Sequence, residues 1–219
     1  MPTRSAVVLV HGLWMNRYAC FPLSVGLRRQ GFSAYAFGYS SVRGSLAGSA
    51  AHLADFVTEL PADRVHLIGH SLGGLIVLRA LCEHTIANAG RAVLLGSPVS
   101  GSELARSIYG RRGGKYLIGN SLAEWNFLAE RNWSSANRLP PGTEIGIVAG
   151  SFRLGMATFF SRDLALPNDG AVSVAETRLP GAAHITLPVS HTGMLLSSRV
   201  VQATTDFLKF GSFSTGSFH

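Results

Sequence analysis

Apolar positions along the chain fall into two patterns that alternate. Short apolar runs, most of them with β-branched residues, recur at 6–10, 33–37, 65–69, 92–95, 145–149 and 184–187. Runs of this length and composition predict six buried β-strands. Between them, apolar residues return every three or four positions, which predicts helices over 17–30, 45–60, 72–83 and 191–210. Gly31 ends the first of these and Pro61 follows the second. The 72–83 segment is apolar on most sides, as expected of a helix buried against a sheet. Strands that alternate with helices in this way imply an α/β fold: a mostly parallel sheet covered by helices on both faces.

The interval 96–143 is long for one crossover and predicts an inserted helix over 121–133, carrying Trp125, Phe127 and Trp133. Core packing is the first expectation for these aromatics, with a cap over a substrate pocket as the alternative. No solenoid repeat or composition break divides the chain. Residues 1–210 are therefore expected to form one domain with about six strands, 101–140 being a candidate small cap. Residues 211–219 are expected to be a frayed tail.

Composition narrows the class. Of 219 residues 47% are hydrophobic and only 14% charged, against ~25% in typical domains, so disorder is excluded. No apolar stretch reaches the ~18 residues of a membrane span, and the 6–10 run stops at His11 without a signal-peptide cleavage site. Two cysteines, Cys20 and Cys82, are too few for a disulfide framework, which implies a reducing, cytoplasmic compartment. The formal net charge of +7 invites an anionic partner. The charge is dispersed, however. The lysines are Lys115 and Lys209, the arginines run from Arg4 to Arg199, and the one cluster is Arg111, Arg112 and Lys115 among glycines. A solvated loop is the expectation there, and no nucleic-acid partner is expected. A monomer is the default.

In open α/β sheets, ligands sit beyond the carboxyl ends of the strands, so chemistry is sought just after each predicted strand. Residues 65–74, Val-His-Leu-Ile-Gly-His-Ser-Leu-Gly-Gly, place a G-x-S-x-G between a buried strand and an apolar helix. With 25 glycines the pentapeptide alone is weak, but its strand–turn–helix context is that of a nucleophile elbow. Ser71 would stand at the apex, at the positive end of the following helix. The competing assignment for Ser71 is an ordinary helix N-cap.

A serine hydroxyl needs a base and an orienting carboxylate, in the chain order acid then histidine for this topology. Downstream aspartates are Asp163, Asp169 and Asp206. Asp206 falls in the last predicted helix, and Asp163 has no turn signal. Asp169 lies in Pro-Asn-Asp-Gly, a turn that serves an Asx turn or helix cap as well as a catalytic acid. Downstream histidines are His84 at a helix end, His184 inside a strand, His191 in the loop after the last strand, and His219 at the terminus. His191 is the candidate base. Two backbone N–H groups should face the developing oxyanion: that of Leu72, after the nucleophile, and that of Leu13, in the loop after the first strand. His11 is expected to brace that loop. Trp14, Met15, Pro98 and Val99 follow strand ends and are candidates for lining an acyl pocket. No dinucleotide fingerprint, P-loop or metal-ligand spacing occurs, so no cofactor and no metal are expected.

Five pieces run in order across residues 7 to about 208: Val7–Gly12, Gly69–Gly74, Leu95–Pro98, Asn168–Val172 and Ser190–Met194. Together they resemble the lipase and esterase group of α/β-hydrolases, and the chain is also similar to glycosylphosphatidylinositol inositol-deacylase-like proteins. The resemblance implies the α/β-hydrolase fold, with Ser71 as nucleophile, Asp169 as acid, His191 as base, and the N–H groups of Leu13 and Leu72 as oxyanion donors. Such enzymes commonly have eight strands and often a substantial lid. Six strands and a short 101–140 insertion imply a compact, open site acting on a small ester with a short acyl chain. A thioesterase or amidase of the same fold, or a catalytically silent anion-binding module, is the alternative.

Overall fold

The predicted strands all form, with small shifts at their ends: β1 (Ser5–Val10), β2 (Ser33–Phe37), β3 (Arg64–His70), β4 (Ala89–Leu95), β5 (Ile145–Gly150) and β6 (Ala183–Leu187). The computed structural model describes residues 5–109, 114–130, 139–154 and 164–214. One sheet holds the six strands in the order β2-β1-β3-β4-β5-β6, and every pairing is parallel. The near-continuous apolar runs follow from this. Each central strand presents alternate residues to two cores, Val8, Val10, Leu67 and Leu94 to one face and Val7, Leu9, Ile68 and Val93 to the other.

Helices cover both faces. On one lie α2 (Leu46–Thr58) and α3 (Leu72–Glu83), which bury Leu46, Leu53 and Leu75. On the other lie α1 (Phe21–Arg29) and α6 (Ser198–Phe210), which bury Leu23, Leu27 and Phe207. Local chemistry sets several boundaries. Ser45 accepts the Gly48 N–H at 3.1 Å to start α2, and Gly211, at φ 75°, closes α6.

Two predicted helices are each observed in two pieces. Residues 17–30 begin with a 3₁₀ turn, Arg17–Cys20, and α1 starts only at Phe21. Pro22 is the reason, since it lacks an N–H and fits a first helical turn. Residues 191–210 hold a 3₁₀ turn, Thr192–Leu195, then α6, because Ser197 adopts an extended backbone and caps Val200 at 3.4 Å.

Among the described residues, the long crossover between β4 and β5 carries two helices rather than the one predicted. The first is α4 (Glu103–Tyr109) and the second α5 (Gly114–Glu130), interrupted at Gly119 (φ 69°, ψ 170°). Trp133, Asp163, His219, Arg111, Arg112 and the side chains of Lys115 and Phe127 lie outside the described residues. Trp125 is fully buried in the core beneath α2 and α3, and its Nε1 donates to the Pro98 carbonyl at 3.0 Å. Further bonds fasten α5. The Ser121 hydroxyl donates to the Gly44 carbonyl at 2.8 Å, and Glu124 accepts the Leu46 N–H at 2.9 Å while pairing with Arg79. That N–H opens α2, where the helix dipole favours a carboxylate.

From β1 the chain crosses to β2 on one side and then to β3 on the other. The reversal opens a crevice above the carboxyl ends of β1 and β3. Among the described residues, no helix is long and apolar enough to cross a membrane.

If α5 is part of the core, Trp125→Ala should lower unfolding stability by about 3–5 kcal/mol in chemical denaturation. A cost of a few tenths would mean that the helix is a detachable flap.

Candidate active site

Strand β3 ends at His70, and the Ser71 N–H extends its ladder to the Leu95 carbonyl at 2.8 Å. The chain then reverses into α3 with Ser71 at φ 54°, ψ −122°. A non-glycine residue in that region is strained by roughly 1–3 kcal/mol and is held there by its surroundings. Close approach is what permits the turn. A Cβ on Gly73 would collide with the main-chain carbonyl oxygens of Val10 and His11, so only glycine lets α3 sit this near β1. With its own N–H committed to Leu95, Ser71 leaves that of Leu72, the first residue of α3, without an intrahelical acceptor.

His191 lies in the loop after β6. Its Nδ1 donates to Oδ2 of Asp169 at 2.8 Å, and its backbone N–H donates to the Asp169 carbonyl at 3.0 Å. Asp169 is 1% exposed, and its second oxygen, Oδ1, accepts the N–H groups of Ala171 at 2.9 Å and Val172 at 2.8 Å. One carboxylate therefore both closes an Asx turn and holds a histidine. A carboxylate only accepts, so Nδ1 of His191 carries the proton and, in the neutral ring, Nε2 is the nitrogen able to accept one. Burial disfavours the His191 imidazolium, but the Asp169 charge and hydrogen bond outweigh it and raise its pKa above the ordinary value.

After β1 the loop Gly12–Met15 turns with the Met15 N–H on the Gly12 carbonyl at 3.4 Å and Trp14 at φ 59°. Trp14 and Ser71 are the non-glycine residues with positive φ among those described, and both line one cavity of about 250 Å³. Leu13, Met15, Pro98 and His191 line it too, joined by Ala105 and Ile108 from α4 and Leu122 from α5. The walls are mainly apolar. Strained residues gathered around one cleft are a signature of a functional site.

Val99, proposed for the pocket, packs into the core instead. His11 braces its loop as expected: its ring stacks on Tyr39 at 4.3 Å, and the Tyr39 hydroxyl donates to the His11 carbonyl at 2.8 Å. His184 is tied to the Thr177 hydroxyl at 3.0 Å, and Asp206 to Gln202 and Ser214, away from the cavity. A cap over 101–140 is among the sequence expectations, but Ala105 and Ile108 are not singled out there because α4 is not predicted, and Leu122 because the aromatics carry the reading of its helix. His70, the residue before Ser71 in the G-x-S-x-G motif, donates from Nε2 to the His191 carbonyl at 2.9 Å.

A sequence model described as the Alpha/beta hydrolase family matches residues 7–207. Among solved structures, the mature form of the Bacillus licheniformis lipase BlEst2 superposes with a TM-score of 0.81 at 22% identity, over 96% of this chain and 93% of that one. The metagenomic carboxyl esterase MGS0156 gives 0.66 at 20% identity, over 87% of this chain and 65% of that one. A monoacylglycerol lipase from Paleococcus ferrophilus gives 0.65 at 18% identity, over 97% and 96% of the two chains. At these identities the likeness is one of fold. No curated protein matches the chain.

Replacing Asp169 by Asn should lower the His191 pKa, read by NMR titration of its ring protons. The folded protein holds this proton more tightly than the unfolded chain, whose histidine titrates near ~6.5. The pair's contribution to stability is thus complete below that pH and fades as pH rises through the higher folded value. Asp169→Asn should abolish that fading; an unchanged pH–stability curve would separate the two side chains.

Proposed function

Since the chain belongs to the alpha/beta hydrolase family, we propose that it is a serine hydrolase that cleaves a carboxylic ester through an acyl-enzyme on Ser71. The observation that carries this reading is the pair His191–Asp169, bonded at 2.8 Å, beside a cavity that also takes in the strained Ser71. In this reading residues 1–210 work as one domain in which α4 and α5 wall the substrate pocket.

Nε2 of His191 accepts the Ser71 hydroxyl proton as Oγ bonds to the ester carbonyl carbon. The carbonyl oxygen takes up the negative charge and is held by the N–H groups of Leu13 and Leu72. On collapse the carbon–alkoxy bond breaks and the alcohol leaves with the proton from His191. Water then attacks the acyl-enzyme with His191 again as base, releasing the carboxylic acid and restoring Ser71. Asp169 stays ionised throughout and stabilises the transient imidazolium.

A cavity of about 250 Å³ lies just under the ~300–1,000 Å³ usual for ligand pockets, which favours short acyl groups. Ala105, Ile108 and Leu122 would form the acyl wall, with Trp14, 64% exposed, at the rim.

Ser71→Ala should abolish hydrolysis of p-nitrophenyl esters and labelling by a fluorophosphonate, with the fold intact by circular dichroism. Full residual activity would reject Ser71 as nucleophile. Turnover should rise with pH, with a midpoint above ~6.5, as His191 loses its proton. Over an ester series, rates should fall as the acyl chain lengthens, and Ile108→Ala should move the optimum to longer chains. An optimum that stays in place would take Ile108 out of the acyl wall.

A further inference from the structure

His70 stands between the two loops that the proposed reaction needs. Its side chain is 1% exposed, at the end of β3. On one side Nε2 reaches the His191 carbonyl at 2.9 Å, and the two rings lie 4.8 Å apart, tilted by 47°. On the other side the ring abuts the turn after β1: a Cβ on Gly12 would come within 3.0 Å of Nδ1. Thus one imidazole touches both the loop of the candidate base and the loop of a candidate oxyanion donor.

Resting on the reading above, we propose that His70 is a positioning residue, whose neutral imidazole donates Nε2–H to the His191 carbonyl and so sets the height of the base over Ser71. A carbonyl oxygen only accepts, so this bond assigns the proton of His70 to Nε2 and leaves Nδ1 bare. Nδ1 has no hydrogen-bond partner among the described residues. An imidazolium would place a second buried N–H there, unpaired and beside a base that turns cationic in the reaction. Burial above all, and then the neighbouring His191, hold the His70 pKa down at about 3, against smaller opposing effects from the His191 carbonyl and Asp169; the charge of His11 acts in the same lowering direction. The donor consequently keeps one form across the working pH range. His191 is then anchored through three separate groups: its ring and its N–H on Asp169, and its carbonyl on His70. The first two join it to its own side of the sheet, while the third joins it to the residue preceding Ser71.

Misplacing a reacting group by about 1 Å can cost ~10²-fold in rate. In His70→Phe, which keeps an apolar ring but no donor, kcat for a short p-nitrophenyl ester should drop about ten- to a hundredfold with KM unchanged. His70→Gln, whose amide N–H can reach the same carbonyl, should recover most of that loss. Equal losses in both variants, or no loss in His70→Phe, would overturn the proposal, as would a change carried by KM. Nitrogen-15 NMR of the unsubstituted protein supplies a measurement independent of turnover. His70 should show the Nε2–H tautomer and no titration between pH 5 and 8; an Nδ1–H form or an imidazolium in that range would refute the assignment even if both variants failed to fold. If the unsubstituted protein takes no fluorophosphonate on Ser71, the hydrolase reading falls while the tautomer measurement still decides the role of this hydrogen bond.

Discussion

The distance between α3 and the carboxyl end of β1 governs the geometry of the whole crevice, and at closest approach it is set by main chain against main chain. Gly73 rests on the carbonyls of Val10 and His11 with no room for a methyl group between. This contact lets the chain reverse within one residue of β3, so that Ser71 keeps its bond to Leu95 on the strand side while Gly74 bonds to the Ser71 carbonyl at 3.0 Å on the helix side. Two hydrogen bonds, each worth roughly 0.5–1.5 kcal/mol net, are of the size needed to offset the turn's backbone strain.

Groups remote in sequence are brought into register around that turn mostly through backbone atoms. Asp169 uses one carboxylate oxygen to fold its own loop on Ala171 and Val172 and the other to grip His191. A second buried carboxylate, Glu176, links the same loop to the crossover. It accepts the Ser173 N–H at 2.6 Å and the Glu103 N–H at 2.7 Å, at the start of α4. Burial, partly countered by these donors, raises its pKa. The acid-bearing loop and the pocket wall are thereby parts of one hydrogen-bonded unit.

Legibility in the sequence followed the range of the interactions. The central strands and α3 were readable because two-sided burial writes itself as apolar runs, the edge strands β2 and β6 by shorter apolar stretches between helical segments, and the elbow because its glycines answer to steric exclusion. Where α6 begins was obscured because apolar spacing continues through Met194, Leu195 and Val200 across a break imposed by Ser197 alone. α4, only seven residues long, is too short to be stable by itself and is held by Ser102 just before it and by Asn126 and Glu176 from elsewhere in the chain. Val99 comes directly after Pro98, yet it packs into the core while Pro98 lines the cavity; no periodicity specifies that difference. The bond from His70 ends on a main-chain carbonyl, a partner every residue possesses, so nothing in the identity of residue 191 could announce it.

The fastening of α5 separates two jobs along a single helix. Ser121, Glu124 and Trp125 hold it to the body, whereas Leu122, on another side, looks into the cavity. Anchorage and pocket shape are therefore encoded at different positions, so drift at the inward-looking residue can recut the space offered to a guest molecule without loosening the wall itself. A scaffold divided this way can diversify its tastes while its architecture stands still.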